Sequence, residues 1–250
     1  MQNDSDSLPT KVALVTGGAR RIGAQIVRRL HAEGMSIALH YHNSATQARH
    51  LRDELNTVRP GSVQLFEADL SKVAATGRLV ASVLEAFRRM DVLVNNASSF
   101  YATPLESVDE AAYEDLLATN LKAPLFLAQA AAVELGKSRG CIVNIADIYA
   151  IKPLSGYAAY CAAKAGLIML TRALAVELAP RTRVNAVAPG AILWPESASG
   201  SVERETVLAQ TPMGRTGDPA DVAEAVLFLV RNAPYVTGQV LKVDGGRAIG

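Results

Sequence analysis

The sequence is short of cysteine, of aromatic residues and of any excess of one charge, and each shortage narrows what the chain can do. Its two cysteines, Cys141 and Cys161, stand in an apolar strand-like run and a helix-like run. Thiols so placed build neither a disulfide framework nor a metal site, and they are read as buried and inert. Lysine plus arginine (25) nearly balance aspartate plus glutamate (24). That balance removes the long-range field that draws a protein to nucleic acid or to an anionic membrane. No repeat, low-complexity block or Pro/Gly-rich linker divides the chain. Its start, MQNDSDSLP, has no basic stretch, no apolar core and no run long enough to cross a bilayer. The expectation is a frayed tail over residues 1–10 of a cytoplasmic protein, one domain over residues 11–250, and a small-molecule partner.

What is present is apolar and regularly spaced. Half of the 250 residues are hydrophobic, enough for a large single core. Short runs rich in Val, Ile and Leu recur at Val12 to Val15, Ser36 to Leu39, Val63 to Phe66, Val92 to Val94, Ile142 to Ile145, Arg183 to Val187 and Val240 to Val243. They read as seven strands buried on both faces. Between them, apolar residues at three- and four-residue spacing predict helices, among them Ile22 to Ala32, Leu79 to Phe87, Ala112 to Leu135, Tyr157 to Leu178 and Ala220 to Val230. Strand and helix in alternation predict a doubly wound α/β domain, with a parallel sheet, helices on both faces and ligands at the carboxyl ends of the strands. The irregular stretch Pro189 to Gly200, with Trp194, suits a substrate-facing loop or a plain surface connection.

The first strand runs into Thr16-Gly17-Gly18-Ala19-Arg20-Arg21-Ile22-Gly23. A glycine-rich turn that opens a helix offers bare N–H groups and the helix dipole to a pyrophosphate. The turn departs from G-x-G-x-x-G by carrying Arg21 where many such loops have their middle glycine. After the second strand, where an NAD enzyme places an acidic residue on the ribose, the chain has His42-Asn43-Ser44, and no Asp or Glu occurs between Ser36 and Arg52. Three hydrogen-bond donors with Arg21 nearby favour the 2′-phosphate of NADP(H). Asp69 and Leu70 after the third strand, and Asn95-Asn96-Ala97 after the fourth, fall on the same edge and are read as lining the adenosine end.

Tyr160 and Lys164 are four apart in a predicted helix and so share a face. An ammonium beside a phenol stabilises the phenolate and is expected to lower the tyrosine pKa toward neutrality.

Taken together, Thr16-Gly17 to Gly23, Asn95-Asn96-Ala97, Asn120, Tyr160 to Lys164 and Pro189-Gly190 resemble the short-chain dehydrogenase/reductase family in order and spacing, over nearly the whole chain. The resemblance implies a catalytic Asn, Ser, Tyr and Lys. Asn120, Tyr160 and Lys164 match three of these, and Asp147 stands where the serine is usual. A carboxyl beside the tyrosine can relay a proton to a ring nitrogen, which argues for reduction of a C=N bond. The loop with Arg21, His40 to Ser44, Asn96-Ala97-Ser98-Ser99-Phe100-Tyr101 and Asp147 to Lys164 look like pteridine reductases within the family. That likeness implies a pterin stacked between Phe100 and the nicotinamide, bonded by Ser98 and Arg21, with Tyr157 along the pocket. It also implies proton delivery by Asp147 and Tyr160 oriented by Lys164, Lys164 on the nicotinamide ribose, and a homotetramer. Asn43 replaces an arginine frequent in that group, which implies weaker 2′-phosphate binding or more reliance on Arg21. Two rivals are a ketone or acyl-thioester reductase of the same family, for which serine is expected at 147, and an NADP(H)-sensing protein without catalysis.

Overall fold

Strands form where β-branched residues fit a pleated surface covered on both sides. The computed structural model describes residues 11–192 and 201–249. The expected tail over residues 1–10, Trp194 and most of the 189–200 loop lie outside them. Seven strands, β1 (Val12–Val15), β2 (Ser36–Tyr41), β3 (Val63–Glu67), β4 (Val92–Asn95), β5 (Cys141–Ile145), β6 (Arg183–Pro189) and β7 (Val240–Val243), make one sheet in the order β3-β2-β1-β4-β5-β6-β7. Every pairing is parallel. The order reverses between β1 and β4, so a crevice opens at the carboxyl ends of these two strands, which is where such sheets hold ligands.

Successive side chains along a strand point to opposite faces. Ala13 and Val15 join one core with α1 (Arg21–Ala32), α2 (Ala45–Val58) and α8 (Pro219–Leu227). Val12 and Leu14 join the other, with α3 (Val73–Phe87), α5 (Ala123–Ser138) and α6 (Ala158–Glu177). At the amino-terminal edge, Asp91 is buried and its carboxylate accepts from the Val12 N–H at 2.9 Å and pairs with Arg89 at 2.7 Å.

The apolar spacing from Ala112 to Leu135 predicts one helix, and the structure has one continuous rod over Glu110–Ser138 that widens for a single turn. Its parts are α4 (Glu110–Leu117), a π-helical turn Ala118–Lys122 and α5. Pro124 supplies the reason, since it has no N–H to give to the carbonyl of Asn120 four residues earlier. The remaining helix, α7 (Ser201–Ala209), follows the 193–200 segment. Glu110–Ser138 and Ala158–Glu177 are long and apolar enough to cross a membrane by length and composition. The absence of such a run was expected only from the start of the chain, and here both helices lie against the sheet with about half of their most apolar windows buried (44% and 56%).

Candidate active site

The cofactor end is built from three strand ends and fastened by side chains. Gly17 has φ +59°, and a Cβ on it would lie 3.0 Å from the Ala97 Cα. A Cβ on Gly23 would lie 2.3 Å from the Gly17 carbonyl oxygen, so the loop closes on the helix only with glycine there. Arg21 occupies the left-handed region at φ 53°, where a side chain costs about 1 kcal/mol, and both Arg20 and Arg21 are exposed. Thr16 Oγ1 accepts from the N–H groups of Asn96 (2.9 Å) and Ala97 (3.0 Å). The Asn96 amide donates to the carbonyls of Thr16 and Gly17. Asn96 therefore spends its side-chain donors on the loop, and its part is to hold the turn.

His40 enters the sequence analysis only within the run His40 to Ser44, and the structure gives it a part in holding the loop. It is buried at the end of β2, and its Nδ1 accepts the Gly17 N–H at 3.1 Å. Its Nε2 then carries the proton and donates to the Ala68 carbonyl at 3.1 Å. Burial pushes its pKa down to about 4, against the opposing bond to Ala68, so the ring is neutral. The available signal was one polar ring at the last buried position of an apolar strand.

Around this loop the structure fits the phosphates of a nucleotide cofactor. The first turn of α1 holds no acidic residue, and its N-cap, Arg20, makes no side-chain cap bond. Its leading N–H groups are left for an anion, beside which Ile22 is half-buried. The first turn of α2 is alike, with no acidic residue and no side-chain cap from Ser44. His42 and Asn43 are exposed beside it. Asp69 spends Oδ1 on the N–H (3.0 Å) and hydroxyl (2.7 Å) of Ser71, which hold its pKa below the usual carboxylate value. The neighbouring Leu70 is buried. Pro189 ends β6, and the N–H of Gly190 donates to the Val243 carbonyl. A Cβ on Gly190 would meet that of Asp244 at 2.7 Å, which brings this turn against the C-terminal segment.

The chemical end gathers Asp147, Tyr160, Lys164, Asn120, Ser98, Phe100 and Tyr157. Asp147 caps the short 3₁₀ turn Ile148–Ala150: Oδ1 accepts the Tyr149 N–H at 2.9 Å, and Oδ2 accepts the Tyr160 hydroxyl at 2.8 Å. It is both a cap and a partner of the tyrosine. Burial raises its pKa, opposed by the Tyr149 N–H, the Tyr160 hydroxyl and the charges of Lys164 and Arg247.

The expectation that Lys164 lowers the Tyr160 pKa is overturned. Burial, and then the charge and acceptor bond of Asp147, push the phenol well up, with Ser98 opposing. Lys164 Nζ lies 5.7 Å from the centre of the tyrosine ring and donates to the Ile145 carbonyl at 2.9 Å. Burial lowers the Lys164 pKa to about 8, against the pull of Asp147. Beside the tyrosine thus stand a carboxyl whose pKa burial raises and an ammonium whose pKa burial lowers.

Asn120, in the π turn, is buried and donates to the carbonyls of Ser99 and Leu116, both at 2.9 Å. Its Oδ1 accepts the Ser98 hydroxyl at 2.6 Å. Asn120 thereby fixes the segment carrying Phe100. The Phe100 ring, 45% exposed rather than core, stacks on Tyr157 (4.8 Å, 16°) and meets Tyr160 edge-on (4.8 Å, 76°). One backbone bond, Thr103 N–H to the Gly156 carbonyl at 2.6 Å, ties the two loops that carry these rings.

A family model described as enoyl-(acyl carrier protein) reductase matches residues 17–248. The chain belongs to the short-chain dehydrogenase/reductase family. A solved structure of a short-chain dehydrogenase/reductase mutant from Serratia marcescens superposes with a TM-score of 0.91 at 32% identity, covering 97% of this chain and 99% of that one. Pteridine reductase 1 of Leishmania tarentolae is 38% identical, over 95% of this chain and 96% of that protein. The 3-oxoacyl-[acyl-carrier-protein] reductase FabG of Staphylococcus aureus is 37% identical, over 95% and 98%. As a short-chain dehydrogenase/reductase, the chain is an oxidoreductase dependent on a nicotinamide cofactor. Relatives with different substrates stand at nearly equal identity, so the substrate has to be argued from the site.

Proposed function

We propose that this chain is an NADPH-dependent pteridine reductase that takes a dihydropterin to a tetrahydropterin, and that oxidised pterin and dihydrofolate are further substrates. The hydrogen bond between the Tyr160 hydroxyl and Asp147 Oδ2 at 2.8 Å carries this reading. A carbonyl oxygen calls for a neutral donor such as serine, which this family usually has at that position. A ring nitrogen calls for a proton, and a carboxyl next to a buried phenol keeps one within reach.

Bound NADPH supplies the hydride. The open N-termini of α1 and α2 would hold its phosphates, with His42, Asn43 and Ser44 about the 2′-phosphate. Gly17, Gly23, Asp69, Asn96, Ala97, Pro189 and Gly190 shape the cleft. Lys164, charged below about pH 8, grips the ribose and orients Tyr160. Phe100, braced by Tyr157, offers its exposed ring to a flat heterocycle. Ser98 and Arg21 bond the heterocycle's polar edge. The proton held between Asp147 Oδ2 and the Tyr160 hydroxyl passes to the nitrogen next to the carbon that receives the hydride, and solvent then restores it.

The test is NADPH oxidation by purified protein with dihydrobiopterin, dihydromonapterin and dihydrofolate, beside an aliphatic ketone and an acetoacetyl thioester. Turnover of pterins alone is expected, with Asp147→Ser losing roughly a hundredfold or more in kcat. Turnover of the ketone or thioester alone makes the chain a carbonyl reductase, and cofactor binding without any turnover makes it a sensor. Either result overturns the reading.

A further inference from the structure

The C-terminal segment reaches the catalytic turn through a buried arginine. Asp244 Oδ1 accepts the Gly246 N–H (3.0 Å) and Oδ2 the Ala248 N–H (2.8 Å), so its carboxylate is spent on closing a turn that presents Arg247 inward. Arg247 is only 8% exposed. Its guanidinium lies over the Tyr149 ring, 5.6 Å from the centre, and Nη1 donates to the Tyr149 hydroxyl at 3.2 Å. Its carbonyl accepts Lys152 Nζ at 3.1 Å, closing the contact from the far side of the 147–152 stretch.

Among the described residues no carboxylate forms an ion pair with Arg247. A guanidinium removed from water needs compensation, which a distant surface acid does not give. Its charge reaches Asp147, two residues from Tyr149 and bonded to the Tyr149 N–H, as the smallest of the influences that oppose burial there. The groups facing Asp147 are then Tyr149 on its own turn, Tyr160 and Lys164 on α6, and Arg247 on the C-terminal segment.

We propose that Arg247 is a positioning residue for the proton-delivering pair: it clamps Tyr149, holds the Ile148–Ala150 turn in place and keeps a positive charge beside the Asp147 carboxyl. The proposal rests on the reading of Asp147 as a proton carrier, and it adds one charge, besides that of Lys164, that biases when the carboxyl gives its proton up. Removing the charge makes Asp147 hold its proton to higher pH.

The test reads the carboxyl directly, so it stands whatever the substrate proves to be. In the full chain labelled with ¹³C at aspartate carboxyls, the Asp147 signal is assigned by its loss in Asp147→Asn and titrated. Arg247→Met is expected to raise its midpoint by roughly half a unit to one unit, and Arg247→Lys to keep it near the wild-type value. With a substrate that turns over, the alkaline limb of kcat moves up by the same amount in Arg247→Met, while a merely structural loss lowers kcat with the limb unmoved. An unmoved midpoint in folded Arg247→Met, or Arg247→Lys behaving like Arg247→Met, overturns the proposal. If Arg247→Met does not fold, Tyr149→Phe, which removes the hydroxyl that Arg247 donates to, is expected to shift the midpoint upward by less. An unmoved midpoint there overturns the proposal equally. Failure of every pterin to react leaves these titrations readable and counts only against the substrate.

Discussion

His40 shows how a single ring can govern a loop. It is neutral in the folded protein, with a pKa of about 4, whereas the unfolded chain protonates the ring near its ordinary 6.5. Between these values the unfolded state binds more protons, so folding stability rises with pH across the window and is lost as pH falls from about 6.5 toward 4. The loss is on the order of 3 kcal/mol. Urea unfolding at pH 7 and pH 4.5 is expected to show it, and His40→Gln to flatten the dependence and to be less stable at pH 7. Buried His31, whose pKa burial also lowers, adds a residual slope of the same sign. The sequence could not show this role, because the partners of His40, Gly17 and Ala68, lie 23 and 28 positions away. Glycine spacing and the Tyr160–Lys164 pair were legible since each is a local pattern. The sign of the Tyr160 shift was not, because it depends on burial and on Asp147, thirteen positions off.

At the level of elements, strand runs and helix periodicity were readable because the five inner strands are buried on both faces. The edge strands β3 and β7, expected to be buried likewise, leave Gln64, Glu67, Leu241 and Lys242 exposed because no described strand covers their outer side. The widened turn between α4 and α5 was hidden by a continuous apolar pattern, although Pro124 marked it. Pro124→Ala restores an N–H that can bond the Asn120 carbonyl, favouring a regular α-helix through the turn. Thermal unfolding is expected to hold or rise. Straightening the turn moves Asn120 from Ser98 and Ser99, so kcat is expected to fall roughly tenfold, or about 1.4 kcal/mol of barrier. Unchanged turnover with a raised Tm would show that the π turn is a packing feature only.

For the whole molecule, the α4–α5 and α6 surfaces leave Leu125, Val133, Met169 and Val176 exposed at 40, 67, 59 and 82%. Exposed apolar side chains on these helices suit a second copy of the chain, and, following the family resemblance, we propose a homotetramer in which they are covered. Sedimentation equilibrium is expected to give about four chains, and Val133→Glu with Met169→Glu to give smaller species. A monodisperse monomer in the wild type would refute it.

Asp91 carries one more consequence. When both faces of a strand are equally greasy, sliding it by one position exchanges one set of aliphatic side chains for another, and hydrophobicity by itself gives little warning of the mistake. A buried carboxylate that must find one particular N–H supplies the missing punctuation. Misaligned by a single residue, it would lose that N–H and keep only Arg89, so one acidic side chain far from any chemistry marks the alignment of β1 with β4, between which the crevice opens.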